Sequence, residues 1–436
     1  MAFTVRRLGP PEWPLLRETR LRALADAPHA FGSTFSEEVD RDRDWWVSSA
    51  GALAWFAATA RSDSEEAAGL VAGMPADHDP EARAVISMWV APEQRGTSVA
   101  RDLLDAVERW ARAEGATALV LRVSDGNVRA RRFYERRGFA PTGHAEPLRS
   151  NPSVAAVEMR LALPRARLRF APSPAGDLHV GHVRTAVLTW MLSRQLSGDY
   201  FVRFENTDEA KEIAGSRAAI VADLAWLGLL GSEPPHDQAA MTGTYLAALE
   251  RLASGGHTYT EGGAVRFRTP SDGTVEWDDL VRGPVTVSNA DLGDPVLVRS
   301  SGTPTFYLAS TVDDAEDAVT HLVRAVPMVR ATAAQLHIWR AIGVEPPSAG
   351  HVPLVTGPGG APVRFGSAAA TVRAMREHGI GRSALLAYLA LPETASWKTP
   401  PTDLEEIIPR INLRRLARRP LTFDQRALET LNRRQP

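Results

Sequence analysis

The sequence predicts an α/β protein in two domains, residues 1–163 and 164–436, and three observations carry that prediction. Short apolar, β-branched runs alternate with amphipathic helical stretches in both halves. Each half has one strand–turn–helix unit with small residues in the turn, which places free backbone amides at a helix start where an anion can sit. The character of the chain also changes at Leu163-Pro164. Val157, Met159, Leu161 and Leu163 alternate with Glu158 and Arg160 like a closing strand, and Arg167-Leu168-Arg169-Phe170 opens another. No Gly- or Ser-rich linker separates the halves, and there is no internal repeat.

Composition narrows the chemistry. With 436 residues, 44% of them hydrophobic, the chain can build more than one sizeable core. Lys+Arg at 50 against Asp+Glu at 52 gives no global pull toward nucleic acid or membrane, so an RNA contact would need a local patch. The absence of cysteine excludes disulfides, Cys-ligated zinc and thiol catalysis, and no metal site is expected. No apolar run reaches membrane-spanning length and the first residues carry no signal-peptide core, so a cytoplasmic protein without membrane partners is expected.

In the first half, Ala84 to Val90 reads as a strand. The loop Gln94-Arg95-Gly96-Thr97-Ser98-Val99-Ala100 comes next, and Val99, Leu103, Val107 and Trp110 then share one helical face. The next strand is Ala118 to Val123, followed by Asn127, Arg131, Phe133, Tyr134 and Phe139. Ser62 to Glu66 and Ala76 to Glu81 read as polar loops. The row of amides at Gln94–Ala100 suits a pyrophosphate. The bland alternative is that Phe133, Tyr134 and Phe139 are core aromatics and the turn is only a turn.

These residues resemble the GNAT acetyltransferases over almost the whole half. The family's phosphate loop, Gln/Arg-x-x-Gly-x-Gly/Ala, aligns with Arg95, Ser98 and Ala100; Gln94 and Gly96 are also in family style, and Ser98 stands where glycine is usual. The Asn-x-x-Ala-x-x-x-Tyr pattern aligns with Asn127, Ala130 and Tyr134. The resemblance implies acetyl-CoA bound by Val90, Gln94, Arg95, Gly96, Thr97, Ser98, Val99, Ala100, Asn127 and Arg131. It places Asn127 on the pantetheine arm and Tyr134 at the thiol leaving group as an acid. It also puts Ala30 to Thr34 on the side of a small-molecule amine acceptor, with Glu37 or Glu38 as candidate bases.

The second half opens with Arg169-Phe170-Ala171-Pro172-Ser173-Pro174-Ala175-Gly176-Asp177-Leu178-His179-Val180-Gly181-His182. Two histidines at a helix start are suited to nucleotide phosphates. Val183, Ala186, Val187, Trp190 and Met191 continue the helix, and the strand Tyr200 to Phe204 leads into Glu205-Asn206-Thr207-Asp208. The bland alternative is two histidines capping a core helix.

The full string resembles the opening signature of glutamyl-tRNA synthetases, and the likeness runs from about residue 165 to the end. Asp278 to Gly283, Arg299 to Ala309, Val312-Asp313-Asp314 and Arg324 also fit. The resemblance implies a Rossmann-like class I synthetase catalytic domain. His179 and His182 would meet the phosphates of ATP, carried with Mg2+. Arg169, Ser173, Glu205, Phe306 and Arg324 would line a pocket for a glutamate-like amino acid. Guanidinium grips carboxylate in a fork, and an unpaired arginine pair between apolar walls calls for one. Phe306 replaces the family's usual tyrosine, and Tyr307 a common asparagine.

Three departures bear on activity. The acceptor-end insert is short, with Tyr259 to Ala264 running almost directly into Val265. No anticodon-reading domain is expected after Asn432. The family's lysine-bearing pyrophosphate loop falls on Pro362-Val363-Arg364-Phe365-Gly366, a degenerate version with neither lysine. The arginines from Arg410 to Arg434 read as a solvated face rather than an RNA patch.

The expected function is a bifunctional enzyme, in which an acyl-CoA-dependent N-acetyltransferase is joined to a domain that binds or activates a glutamate-like amino acid with ATP, as in specialised metabolism. One alternative is tRNA glutamylation of the glutamyl-tRNA or glutamyl-queuosine type, with tRNA the less favoured partner. Another is an inactive synthetase-like module for ligand binding or antibiotic resistance.

Overall fold

A computed structural model describes residues 3–60, 66–208, 212–238, 242–363, 370–391, 401, 404–416 and 420–434. Ser62–Glu65 of the first polar loop, Arg364–Gly366 of the rewritten loop, Arg418 and Arg419 lie outside the described residues. The chain divides into two compact units, Met1–Arg165 and Ala166–Pro436. Among the described residues no helix is long and apolar enough to cross a membrane.

The first unit is built on a seven-stranded sheet. Its order is Thr4–Leu8, Ala54–Thr59, Ala67–Pro75, Ala82–Val90, Ala118–Ser124, Asn151–Ala162 and Ala140–Leu148. The strand Ala54–Thr59 is buried along its whole length because both faces are covered. Phe56 and Ala58 join Val99, Leu103 and Val107 of the helix Val99–Ala113 on one face, as the helical spacing predicts. Trp55 and Ala57 join Leu16 and Trp46 on the other.

One pair in this sheet is parallel. Ala82–Val90 and Ala118–Ser124 are in register only from Ala82↔Ala118 to Ala84↔Val120, and beyond that they part. The cause lies on the other edge of Ala82–Val90. Its pairing with Ala67–Pro75 slips by one residue between Leu70 and Ala72, and Ser87 there takes a left-handed conformation with φ 59°. A bulge of this kind bends its strand and re-aims the chain beyond it. Here it turns the strand's end, and the loop Gln94–Ala100 after it, away from the neighbouring strand.

The second unit is built on a five-stranded parallel sheet. Its order is His236–Asp237, Asp199–Phe204, Arg167–Phe170, His321–Ala325 and Ser348–Val352. The first strand in the chain thus sits beside the fourth, and that reversal opens a crevice at their carboxyl ends, the usual ligand position in doubly wound sheets. The helix Val180–Gln195 is buried around most of its circumference, with Val183, Val187, Leu188 and Met191 in the core. The short insert is a hairpin, Thr258–Glu261 with Ala264–Phe267, extended by Val296–Val298.

Candidate functional sites

In the first unit the loop that leaves the bulged strand ends at the helix Val99–Ala113. Ser98, its N-cap residue, makes no side-chain capping bond. The hydroxyl of Thr97 donates to the Gln94 carbonyl at 2.7 Å, which closes the loop on itself. Gly96 has φ 90°, and a Cβ there would meet nothing within 4 Å, so the space in front of the loop is open. Only glycine holds that φ without strain. The Val99 amide makes only a long 3.4 Å bond to the Thr97 hydroxyl, and such a helix start behind an open glycine turn fits a diphosphate.

The one charged side chain of the loop, Arg95, is already engaged. Arg95 pairs with Asp26 and donates from Nε to the Val90 carbonyl at 3.1 Å, so its guanidinium ties the loop to Asp26 and to the end of the preceding strand. Asn127 caps the helix Val128–Arg136 by accepting from the Ala130 amide at 3.1 Å. A cavity of about 50 Å3 opens beside it, lined in part by Ser124, Gly126, Asn127 and Arg131. Arg131 itself is exposed and bonded to Glu135 at 3.0 Å. Tyr134 sits in the core cluster edge-on to Phe133 and Phe139, and burial pushes its phenol pKa up, which keeps the proton on the oxygen at neutral pH.

Neither candidate base survives. Glu38 is buried and held by Arg20 in a fork at 2.9 and 3.1 Å, with the Ser33 hydroxyl on the same carboxylate at 2.5 Å. Glu37 closes a capping box with Thr34, and that backbone bond holds its pKa below the ordinary carboxylate range. With its pKa lowered, Glu37 has less basicity to offer an amine, and the Glu38 carboxylate is already occupied by Arg20 and Ser33.

In the second unit His179 is the N-cap of the helix Val180–Gln195, accepting at Nδ1 from the Gly181 amide at 3.1 Å. The His179 and His182 rings stack with centroids 3.8 Å apart. A Cβ on Gly181 would lie 2.9 Å from the His179 ring, so the stack needs glycine between the two histidines. Burial lowers His179 to about 4 and His182 to about 3, with the neighbouring imidazole adding to the second shift. Two neutral rings can stack closely, whereas two cations could not. The segment is tied down from outside: Val372 donates to the Leu178 carbonyl at 2.9 Å, and His179 bridges to Thr371.

The candidate amino-acid residues come together in part. Arg169 and Arg324 lie on the adjacent strands at the crevice, and Glu205 follows the strand Asp199–Phe204. Burial raises the Glu205 pKa, and Arg169, Arg203 and Arg324 oppose that rise, so all four share one electrostatic environment. Phe306 lays its ring 5.6 Å from the Arg324 guanidinium. Ser173 is exposed on the connecting loop. Thr356 bridges to Pro362, and Val363 donates to the Val355 carbonyl at 3.0 Å, which fixes the near side of the rewritten loop.

The expectation of an unpaired arginine pair is corrected. Asp314 holds Arg169 in a two-point fork at 2.9 and 3.1 Å, bonds Arg203 at 2.6 Å and lies 3.5 Å from Arg324. The three guanidiniums drive its pKa down to about 2 against the penalty of burial. Arg203 is also paired with Asp317 at 2.7 Å. Phe306, Ser310 and Asp314 form one stripe of the helix Phe306–Glu316, and all three touch Arg324. The i, i+4, i+8 spacing was available in the sequence; nothing local revealed which arginines the stripe would face.

Among the arginines of the tail, Arg414 is bonded to Asp278 at 2.6 and 3.0 Å. Among the described residues no group of His, Cys, Asp and Glu could hold a metal ion.

Comparison with known proteins places each half of the chain in a family. The family described as tRNA synthetases class I (E and Q), catalytic domain, matches residues 165–264 and 260–430, and the acetyltransferase (GNAT) family matches residues 20–139. A glutamate--tRNA ligase of Coxiella burnetii is 31% identical over 303 residues, covering 61% of this chain and 65% of its own. One from Francisella philomiragia matches to the same extent. The chain therefore spans about two thirds of the length of these relatives. A solved glutamate-tRNA synthetase from Elizabethkingia anophelis shares the fold at a TM-score of 0.55 and 22% identity, over 62% of this chain and 70% of that one. This chain belongs to the class I tRNA synthetases (E and Q) by its catalytic domain, and carries a GNAT acetyltransferase domain ahead of it.

Proposed function

We propose that the second unit binds a glutamate-like amino acid with ATP and activates it, and that the first unit transfers acetyl from acetyl-CoA to a small-molecule amine. The observation that carries this reading is the set of buried Arg169 and Arg324 with half-buried Glu205, gathered near the strand-order reversal in one charge environment. A dicarboxylic amino acid offers carboxylates to the arginines and an ammonium to the glutamate. In activation, an oxygen of its α-carboxylate attacks the α-phosphorus and the bond to the pyrophosphate oxygen breaks. The neutral histidines hydrogen-bond phosphate oxygens without adding charge, and magnesium travels with the phosphates.

In the first unit the amides at Ser98–Ala100 and the open turn at Gly96 take the diphosphate. The amine nitrogen bonds to the acetyl carbon, the carbon–sulfur bond breaks, and Tyr134 supplies the proton that the thiolate takes. With Glu37 and Glu38 engaged elsewhere, water takes the proton of the amine. ATP–pyrophosphate exchange with glutamate, and calorimetry with acetyl-CoA, test the two halves separately. No exchange with any amino acid would leave the second unit a binding module.

The second reading is glutamylation of a tRNA, favoured by the match to glutamate--tRNA ligases. Charging of total tRNA with labelled glutamate separates it from the first.

A further inference from the structure

Arg324 is held from two sides. The stripe on Phe306–Glu316 holds one, and two residues of the helix Val329–Ala341 hold the other. Its NH1 donates to Thr332 at 3.0 Å and to Gln335 at 2.6 Å. The Thr332 hydroxyl also meets His351 Nε2 at 2.9 Å, and His351 Nδ1 meets Asp279 at 2.5 Å. Thr332, His351 and Asp279 are each wholly buried at 0% exposure, which rules out a nucleophilic role for this hydroxyl–imidazole–carboxylate series. No substrate can reach Thr332, and its oxygen already faces a cation.

The carboxylate end of the series sets the direction of every proton along it. Asp279 is anchored as a carboxylate: its Oδ1 accepts from the amides of Val281, Arg282 and His351, and the bond from His351 opposes burial and leaves its pKa lowered. An anion there makes His351 Nδ1 the protonated nitrogen, and burial keeps the ring neutral. Nε2 is then an acceptor, so the Thr332 hydroxyl must donate to it. Its oxygen lone pairs are thereby turned toward Arg324. Each bond fixes the polarity of the next, from Asp279 through His351 and Thr332 to the guanidinium.

We propose that Thr332, His351 and Asp279 are positioning residues that orient the Arg324 guanidinium toward the carboxylate of the bound amino acid. This rests on the reading that Arg324 takes that carboxylate. A guanidinium over an aromatic ring can rotate about its axis; donation from one nitrogen to both Thr332 and Gln335 fixes the plane of the fork.

The test is calorimetry of glutamate and of ATP, each titrated into the full chain. Thr332→Val keeps the shape and removes the hydroxyl. It is expected to weaken glutamate about tenfold and leave ATP within about twofold, and Thr332→Ser is expected to restore the wild-type value. His351→Asn serves as the second variant should Thr332→Val not fold: it keeps a donor to Asp279, removes the acceptor for Thr332, and should repeat the selective loss. Wild-type glutamate affinity in Thr332→Val, equal loss of ATP and glutamate, or failure of serine to rescue would each overturn the positioning role. A wild-type chain that binds no amino acid would overturn the underlying reading, and the role with it.

Discussion

At the scale of single residues, the second unit places its charge balance on Asp314. Three buried guanidiniums converge on one carboxylate, so replacing it by an amide takes the two-point fork from Arg169 and leaves Arg203 and Arg324 with less compensation. Asp314→Asn is expected to destabilise the unit by roughly 3–5 kcal/mol in urea unfolding, more than a surface pair would. Arg324→Ala should abolish the thermal stabilisation that glutamate gives; stabilisation of wild type by an apolar amino acid instead would remove the dicarboxylate assignment. The stacked histidines give a pH signature. Their folded pKa values, about 4 and about 3, lie below the 6.5 of the free side chain. Their contribution is complete above pH 6.5 and is lost as pH falls toward those values, at up to ~1.4 kcal/mol per histidine per pH unit. Asp313 and Asp223, both raised to about 6, act in the opposite sense. The comparison must therefore be with a double His179→Asn/His182→Asn chain: the melting-temperature difference, wild type minus variant, should fall between pH 7 and pH 5.

At the scale of elements, the two helix starts divide the chemistry, and they differ in how legible they were. The helix Val99–Ala113 was readable from its apolar spacing, and the strand Asn151–Ala162 from alternation. The bulge at Ser87 was not, because nothing in Ile86-Ser87-Met88 signals a left-handed serine. The fork of Asp314 on Arg169 joins residues 145 apart, and the bond of His351 to Asp279 joins residues 72 apart. Such pairings come from topology, and spacing along the chain does not carry them. Glu38 shows the converse: its carboxylate was visible as chemistry, but its partner Arg20 lies on another helix. For the loop before Val99–Ala113, Gly96→Glu should cost acetyl-CoA binding about 2–4 kcal/mol by charge repulsion and lost contact. Gly96→Ala measures the backbone strain alone, since the φ there is 90°. Equal affinities for the wild type and the glutamate variant would move the site elsewhere.

At the scale of the whole molecule, the expected reaction of the second unit stops short of tRNA. The loop aligned with the family's lysines contains none, and the segment expected to be a shortened acceptor-end insert is a hairpin of two four-residue strands extended by Val296–Val298. Losing a preorganised charge on the departing pyrophosphate typically costs about 3–4 kcal/mol, or roughly a hundred- to thousand-fold in rate. Acid-precipitable labelled glutamate on total tRNA should stay near background while pyrophosphate exchange remains measurable. Robust charging would put the glutamylation reading first.

The reversed strand order has a consequence for the biosynthesis of the chain. The seven-stranded sheet is complete once residue 162 has been made. The central strand Arg167–Phe170 must wait for its neighbour His321–Ala325, and the first bond between them, Arg167 to Thr320, spans 153 residues. Pairing at such separation is slow even in a finished chain, and on a ribosome it cannot begin until both strands have left the exit tunnel. A nascent chain stalled near residue 300 should therefore display a protease-resistant first unit followed by a digestible stretch that still exposes the apolar helix Val180–Gln195. The length of that interval is set by where the fourth strand falls in the gene.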